Sequence, residues 1–129
     1  MPQGYNDTEM EHVLHAAILP ILRQRRPQAV MLQCGADALE DDPLARLSLS
    51  NNAHLAVVRA VMAEAPRLVV TGGGGYNPWT VARCWTLVWG TLNDSPVPER
   101  LPPAAEAVLR ALTWDRAAGR NPPEHWFTT

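Results

Sequence analysis

The sequence predicts an α/β fold built on a parallel sheet, and three observations carry that expectation. Two short apolar runs, "AVMLQC" (29–34) and "RLVVT" (67–71), have the length of buried strands and little alternation of polar residues. Segments of helical period lie before, between and after them. The resulting order, helix, strand, helix, strand, helix, is that of βα units with right-handed crossovers. Strands flanked by helices usually sit in sheets of four or more, so two strands predict a sheet with members missing.

The elements follow in order. "NDTEMEHVLHAAILPILRQ" carries Val13/Leu14, Ala17/Ile18 and Ile21/Leu22, pairs spaced by four residues on one helical stripe. Thr8 and Glu11 have the spacing of a capping box, and Pro20 predicts a kink in the last turn before "RRP" ends the helix. After the strand at 29–34 comes the loop "GADALEDDPLARLSLS". Residues 52–65 return to helical period, with Ser50 or Asn51 as N-cap. The second strand, 67–71, runs into four glycines, 72–75. Pro78 suits a first helical turn capped by Asn77, and that helix is expected to reach about Leu92. "NDSPVPERLPP" is irregular, "AAEAVLRALT" predicts a short helix, and the tail "WDRAAGRNPPEHWFTT" is either mobile or docked by Trp114 and Trp126.

Bulk composition narrows the function classes. At 129 residues the chain has the size of one domain, and 47% apolar residues permit a real core. A net charge of −2 leaves no footprint for nucleic acid or an anionic membrane. No stretch is long and apolar enough for a transmembrane helix, and "MPQGYNDTEM" does not read as a secretory signal. All eleven basic residues are Arg, which excludes a Schiff-base or P-loop lysine from this chain. Cys34 and Cys84 lie in apolar segments without a CxxC, so both read as buried, reduced thiols, in keeping with a cytoplasmic protein.

In open α/β sheets, ligands bind beyond the carboxyl ends of the strands. Two loops lie there, one holding Asp37 and one holding Tyr76. Asp37 in "QCGAD" can ligate zinc from a rigid strand end, or can simply form a turn. "GGGGY" can nest a phosphate on backbone N–H groups, or make a tight strand-to-helix turn. It can also let a substrate approach the backbone while Tyr76 donates a hydrogen bond to a developing oxyanion. It matches neither nucleotide-binding glycine motif. His12 and His15 share a helix face and read as solvated. His54 reads as a helix-start residue and "EDD" (40–42) as a solvated loop, with Asp42 able to bond backbone in the turn before Pro43.

Three segments together resemble one family. "VMLQCGADALEDDPLARLSLSNNAH" is similar to the pattern Q-x-G-A-D-[SA]-L-x-x-D-x-L-x-x-x-[NS]-L-[ST]-x-x-x-H of zinc-dependent deacetylases. "VVTGGGGYNPWTVARCWT" resembles their G-G-G-G-Y-x-x-x-x-[VT]-A-R-C-W-T, and "MPQGYNDTEM" their Leu-Pro-x-Gly loop into a helix. The family is the histone deacetylase superfamily, and the chain looks closest to its bacterial acetoin utilization and acetylpolyamine deacetylase branch. The resemblance covers about 1–92 and implies the C-terminal part of a three-layer α/β/α arginase/deacetylase-like fold, followed by a Pro-rich extension over 93–129.

The resemblance also implies roles. Asp37 matches a zinc-ligating Asp and Tyr76 the tyrosine that polarises the acetyl carbonyl. Gly74 and Gly75 would line the acyl channel, and Leu44 would be an apolar wall residue. Arg83 and His54 match structural positions, and Ala53 stands where many members have Gly. The family's tandem His pair and its Asp-x-His, the acid/base pair and the other two zinc ligands, have no counterpart in this sequence. The implied reading is a C-terminal portion of a deacetylase, inactive by itself, which acts on an acetylated amine only with the N-terminal part of the domain. The alternatives are a non-catalytic complementing subunit that self-associates, and a small phosphate-binding module.

Overall fold

The structure, a computed structural model, describes residues 3–128. Met1 and Pro2, which open the segment similar to the Leu-Pro-x-Gly loop, lie outside the described residues. The first helix is a composite of α1 (Asp7–Val13), a π-helical stretch (Leu14–Ile18) and α2 (Leu19–Arg25). Asn6 caps it: its side chain accepts from the Thr8 and Glu9 N–H groups while Glu9 reaches back to the Asn6 N–H. The capping box is therefore Asn6/Glu9 rather than Thr8/Glu11, since the chain enters helical geometry at Asp7.

The π stretch sits just before Pro20, which occupies the first turn of α2. There proline's missing N–H is absorbed by the wider turn. The extra residue also shifts the apolar stripe. Leu14 and Leu19 are buried, whereas Ile21 of the expected four-residue series is exposed. Arg26, at φ +45°, ends the helix.

Strands β1 (Val30–Gln33) and β2 (Leu68–Thr71) pair in parallel, Val30 opposite Leu68 and Gln33 opposite Thr71. Helix α3 (Asn51–Glu64), capped by Ser50, connects them, and α4 (Pro78–Leu92), capped by Asn77, follows β2. Leu32 and Val70 face inward against a core of Cys34, Ala36, Leu39, Leu55, Val58, Cys84 and Val88. The opposite sheet face is open. Met31 is 75% exposed and Val69 is exposed beside it, so these strands alternate instead of being buried on both faces.

Beyond α4 lie α5 (Pro103–Ala111) and two 3-10 turns, Ala117–Arg120 and Glu124–Phe127. The tail is docked. Trp126 and Phe127 are buried with Trp79 of α4, and the Trp79 and Trp126 rings stack at 5.0 Å. The Trp79 indole N–H donates to the Leu109 carbonyl at 2.8 Å. Arg110 pairs with Glu106 at 2.7 Å and Glu124 at 2.9 Å, fastening the tail to α5.

Candidate active site

Both loops beyond the strands' carboxyl ends meet. The Ala36 N–H donates to the Gly74 carbonyl at 2.7 Å, directly coupling the β1 and β2 loops. Asp37 lies in a short 3-10 turn, Ala36–Ala38, and is half-buried. Its carboxylate occupies the space that side chains on two glycines would need. A Cβ on Gly74 would sit 2.3 Å from Asp37 Oδ2, and one on Gly35 would sit 2.5 Å from Oδ1. With the Asp37 carboxylate in this place, Gly74 has no room for a Cβ. Gly75, at φ +147°, presses against α4 instead, and its Cβ would meet Val81 at 2.6 Å.

His54, at the start of α3, reaches back to the same loop. Its Nε2–H donates to the Gly35 carbonyl at 3.0 Å. Its Nδ1 is buried without a partner among the described residues. A cavity of about 400 Å³ lies beneath, bordered by Asp37, Gly35, Gly74, His54, Leu32 and Tyr5. A cavity of about 500 Å³ elsewhere, bordered by Arg59, Arg83 and His125, holds none of the five predicted site residues.

Tyr76 and Leu44 are brought together by backbone rather than by side chain. Asp42 is 5% exposed, and its two oxygens accept from the Leu44 N–H at 2.9 Å and the Tyr76 N–H at 2.8 Å. The Asp42–Leu44 bond is the turn expected before Pro43; the Tyr76 bond is not visible from local sequence. The Tyr76 ring is 47% exposed and the Leu44 side chain 55% exposed, and neither borders the cavity beside Asp37. Asn77 is fully buried, accepts from the Trp79 and Thr80 N–H groups, and donates its Nδ2–H to the Asp41 carbonyl at 3.2 Å.

The "EDD" run is not a solvated loop throughout. Asp41 Oδ2 accepts from the Trp126 indole at 2.7 Å and from His125 Nε2 at 2.7 Å, and Asp42 is buried. Arg83 donates to the His125 carbonyl, and burial pushes its guanidinium below its ordinary range while Asp41 opposes that shift. Cys34 and Cys84 are free and buried. Burial pushes Cys34 up, and pushes Cys84 up to about 12. His12 and His15 are exposed on the first helix.

Asp37 supplies one oxygen donor to the candidate site. Among the described residues no group of three or more His, Cys, Asp or Glu is placed to hold a metal ion. Catalytic zinc takes about three protein ligands and keeps one position open. Asp37 fits as one ligand, and the residues present do not make the site.

Residues 1–92 match the histone deacetylase domain family. Histone deacetylase 9 of Arabidopsis thaliana is 37% identical over 102 residues, which are 79% of this chain and 24% of that protein. Probable histone deacetylase 1-A of Xenopus laevis is 35% identical over 99 residues, 77% of this chain and 21% of that one. The crystal structure of an HDAC homologue from Aquifex aeolicus superposes with a TM-score of 0.81 at 34% identity, covering 99% of this chain and 34% of that one. An HDAC homologue complexed with SAHA gives 0.80 at 33% identity, covering 100% and 35%. The chain therefore spans about a quarter of these curated relatives and about a third of these solved structures.

Proposed function

The chain belongs to the histone deacetylase family and has the α/β architecture of part of that domain, and from this premise we propose that it contributes part of a site that hydrolyses N-acetyl amides. In this reading Asp37 is one zinc ligand, Tyr76 donates to the developing oxyanion, and Gly74, Gly75 and Leu44 belong to the acyl slot. The carrying observation is the seating of the Asp37 carboxylate between the bare α-carbons of Gly35, in its own loop, and Gly74, in the loop that leads to Tyr76. A ligand held by packing on both sides is preorganised.

The zinc would be completed by donors from outside this sequence. The implied Asp-x-His would supply the other two ligands, and the implied tandem His pair the acid and base. The chain by itself is then inactive. Zinc-supplemented hydrolysis of a fluorogenic acetyl-lysine peptide by the purified chain tests this, and turnover that Tyr76→Phe abolishes would overturn it. Acetylpolyamines are the second substrate class to assay.

Association is the second reading, favoured by the open sheet face. Met31, Val69 and Trp89 are exposed apolar residues, and a two-stranded sheet leaves unpaired edges. The proposed partner is the N-terminal part of a deacetylase domain, with a second copy of this chain as the competitor. Light scattering at high concentration separates these from a monomer. A phosphate-binding role has the Asp37 carboxylate against it, since an anion beside Gly74 would face like charge. The free thiols fit a reducing, cytoplasmic setting.

A further inference from the structure

We propose that Asp41 and Asp42 form a positioning pair for Tyr76, Asp42 fixing the tyrosine backbone and Asp41 coupling that fixed loop to the C-terminal tail. The word positioning rests on the reading of Tyr76 as oxyanion donor; the coupling itself does not.

The glycine run is tied down at the Gly74 carbonyl but brings no side chain that reaches Tyr76. Glycine has the freest backbone of any residue, and four precede Tyr76. The Tyr76 ring, half exposed, gains little from packing. The bond made by the residue itself is through its N–H, which meets Asp42 Oδ2 at 2.8 Å. Burying a carboxylate is unfavourable unless its oxygens are bonded. Asp42 meets that condition by accepting from Tyr76 and Leu44. Hydrogen bonds to an ionised acceptor are stronger and shorter than neutral ones.

The residue after Tyr76 is fixed from the same stretch. Asn77 is buried, caps α4, and donates to the Asp41 carbonyl at 3.2 Å. The Asp41 carboxylate in turn accepts from His125 and Trp126, 84 and 85 residues away in sequence. Trp126 also stacks on Trp79, two residues beyond Asn77. The tail thus reaches the tyrosine loop by two routes, through Asp41 and through the first turn of α4. Both tail residues lie outside the 1–92 family match. A segment beyond the matched domain therefore helps to set where the phenol stands.

The test is amide hydrogen exchange and tyrosine ring NMR on the full chain. Only Tyr5 and Tyr76 contribute ring signals, and buried Tyr5 reports on the fold. Asp42→Asn keeps one oxygen and removes the charge. Its expected effect is Tyr76 amide exchange faster by about 10- to 100-fold, the weight of a charged hydrogen bond. Tyr5 ring signals and the β2 amides stay in place. The double variant His125→Ala/Trp126→Phe removes both donors to Asp41 and keeps an aromatic ring on Trp79. It is expected to move the Tyr76 amide and ring signals and leave those of Tyr5 unchanged.

Unchanged Tyr76 exchange in folded Asp42→Asn overturns the role of Asp42. Unchanged Tyr76 signals in the double variant overturn the coupling to the tail. If Asp42→Asn loses the Tyr5 signature by unfolding, the double variant decides the coupling, because His125 is exposed and Phe keeps an aromatic ring at the buried position of Trp126. Asp42→Glu, which keeps the charge, then tests the Tyr76 bond. No activity is read, so these outcomes are independent of whether Tyr76 proves to be the oxyanion donor.

Discussion

Gly74→Ala separates the packing account of the glycine run from a conformational one. The Gly74 backbone is open to any L-residue, so strain from φ plays no part. All three nearest neighbours of a new Cβ belong to Asp37: Oδ2 at 2.3 Å, Cγ at 2.6 Å and Oδ1 at 3.1 Å. Ordinary contact needs about 1 Å more, so the carboxylate or the backbone must shift. Asp37 has little room to yield, because its Oδ1 already lies where a Gly35 side chain would be. Overpacking of this kind costs about 1–3 kcal/mol. For a chain of this size that lowers Tm by roughly 4–12 °C. Equilibrium urea unfolding of Gly74→Ala, Asp37→Ala and the double variant gives the coupling directly. Asp37→Ala deletes every atom in the clash, so Gly74→Ala is expected to be nearly neutral in that background. A penalty that persists undiminished without the Asp37 carboxylate would mean that the clash with Asp37 is not its cause.

Other outcomes follow from the same structure. Gly75→Ala is expected to destabilise whether or not Asp37 is present, since its strain comes from φ +147° and from Val81 at 2.6 Å; urea unfolding in both backgrounds checks it. Trp79→Ala removes a buried ring, its stack on Trp126 and its bond to Leu109, and is expected to cost about 3–5 kcal/mol. Near-UV circular dichroism should lose the paired-indole signal at the same time. The Cys84 thiol is held neutral by burial up to about 12, against an ordinary value of 9.0. The folded state then binds the proton more tightly than the unfolded one. Its stabilising contribution is complete below 9.0 and declines as pH rises towards 12. Stability measured across that range should fall more steeply for the parent than for Cys84→Ala, and a thiolate-selective reagent at pH 8 should react only after denaturant is added.

Local signals were legible where the chemistry is local. Asn77–Pro78 and Ser50 start helices as their residue types demand, and the bounds of α4 follow from cap and period alone. The first cap is ambiguous in sequence because Asn6/Glu9 and Thr8/Glu11 share one spacing; only the chain's entry into helical geometry at Asp7 separates them. The π stretch before Pro20 moved the buried stripe, which a fixed period cannot anticipate. Met31 and Val69 read as buried because a continuous apolar run does not say whether its second face has a cover.

Site residues divide in the same way. Asp37 and Tyr76 stand out as a polar group at a strand end and a phenol after glycines. Their setting depends on contacts that no local pattern carries. Asp42 meets Tyr76 from 34 residues away, and Asp41 meets the tail from 84 and 85. The glycines illustrate the gap most clearly. The resemblance implies that Gly74 and Gly75 line a channel, and the structure adds a second demand on Gly74, whose bare α-carbon leaves room for the carboxylate of Asp37.

In the site proposed above, Asp37 would be one zinc ligand and Tyr76 the oxyanion donor, with the other donors coming from outside this sequence. The most direct measurement is the zinc-dependent deacetylation rate of an acetyl-lysine peptide by this chain co-expressed with the remaining part of the Aquifex aeolicus HDAC homologue's domain. Turnover is expected from the complemented pair and from neither piece alone, lost with Asp37→Ala and reduced at least about 100-fold by Tyr76→Phe. Turnover by the complemented enzyme that survives both substitutions would contradict this assignment.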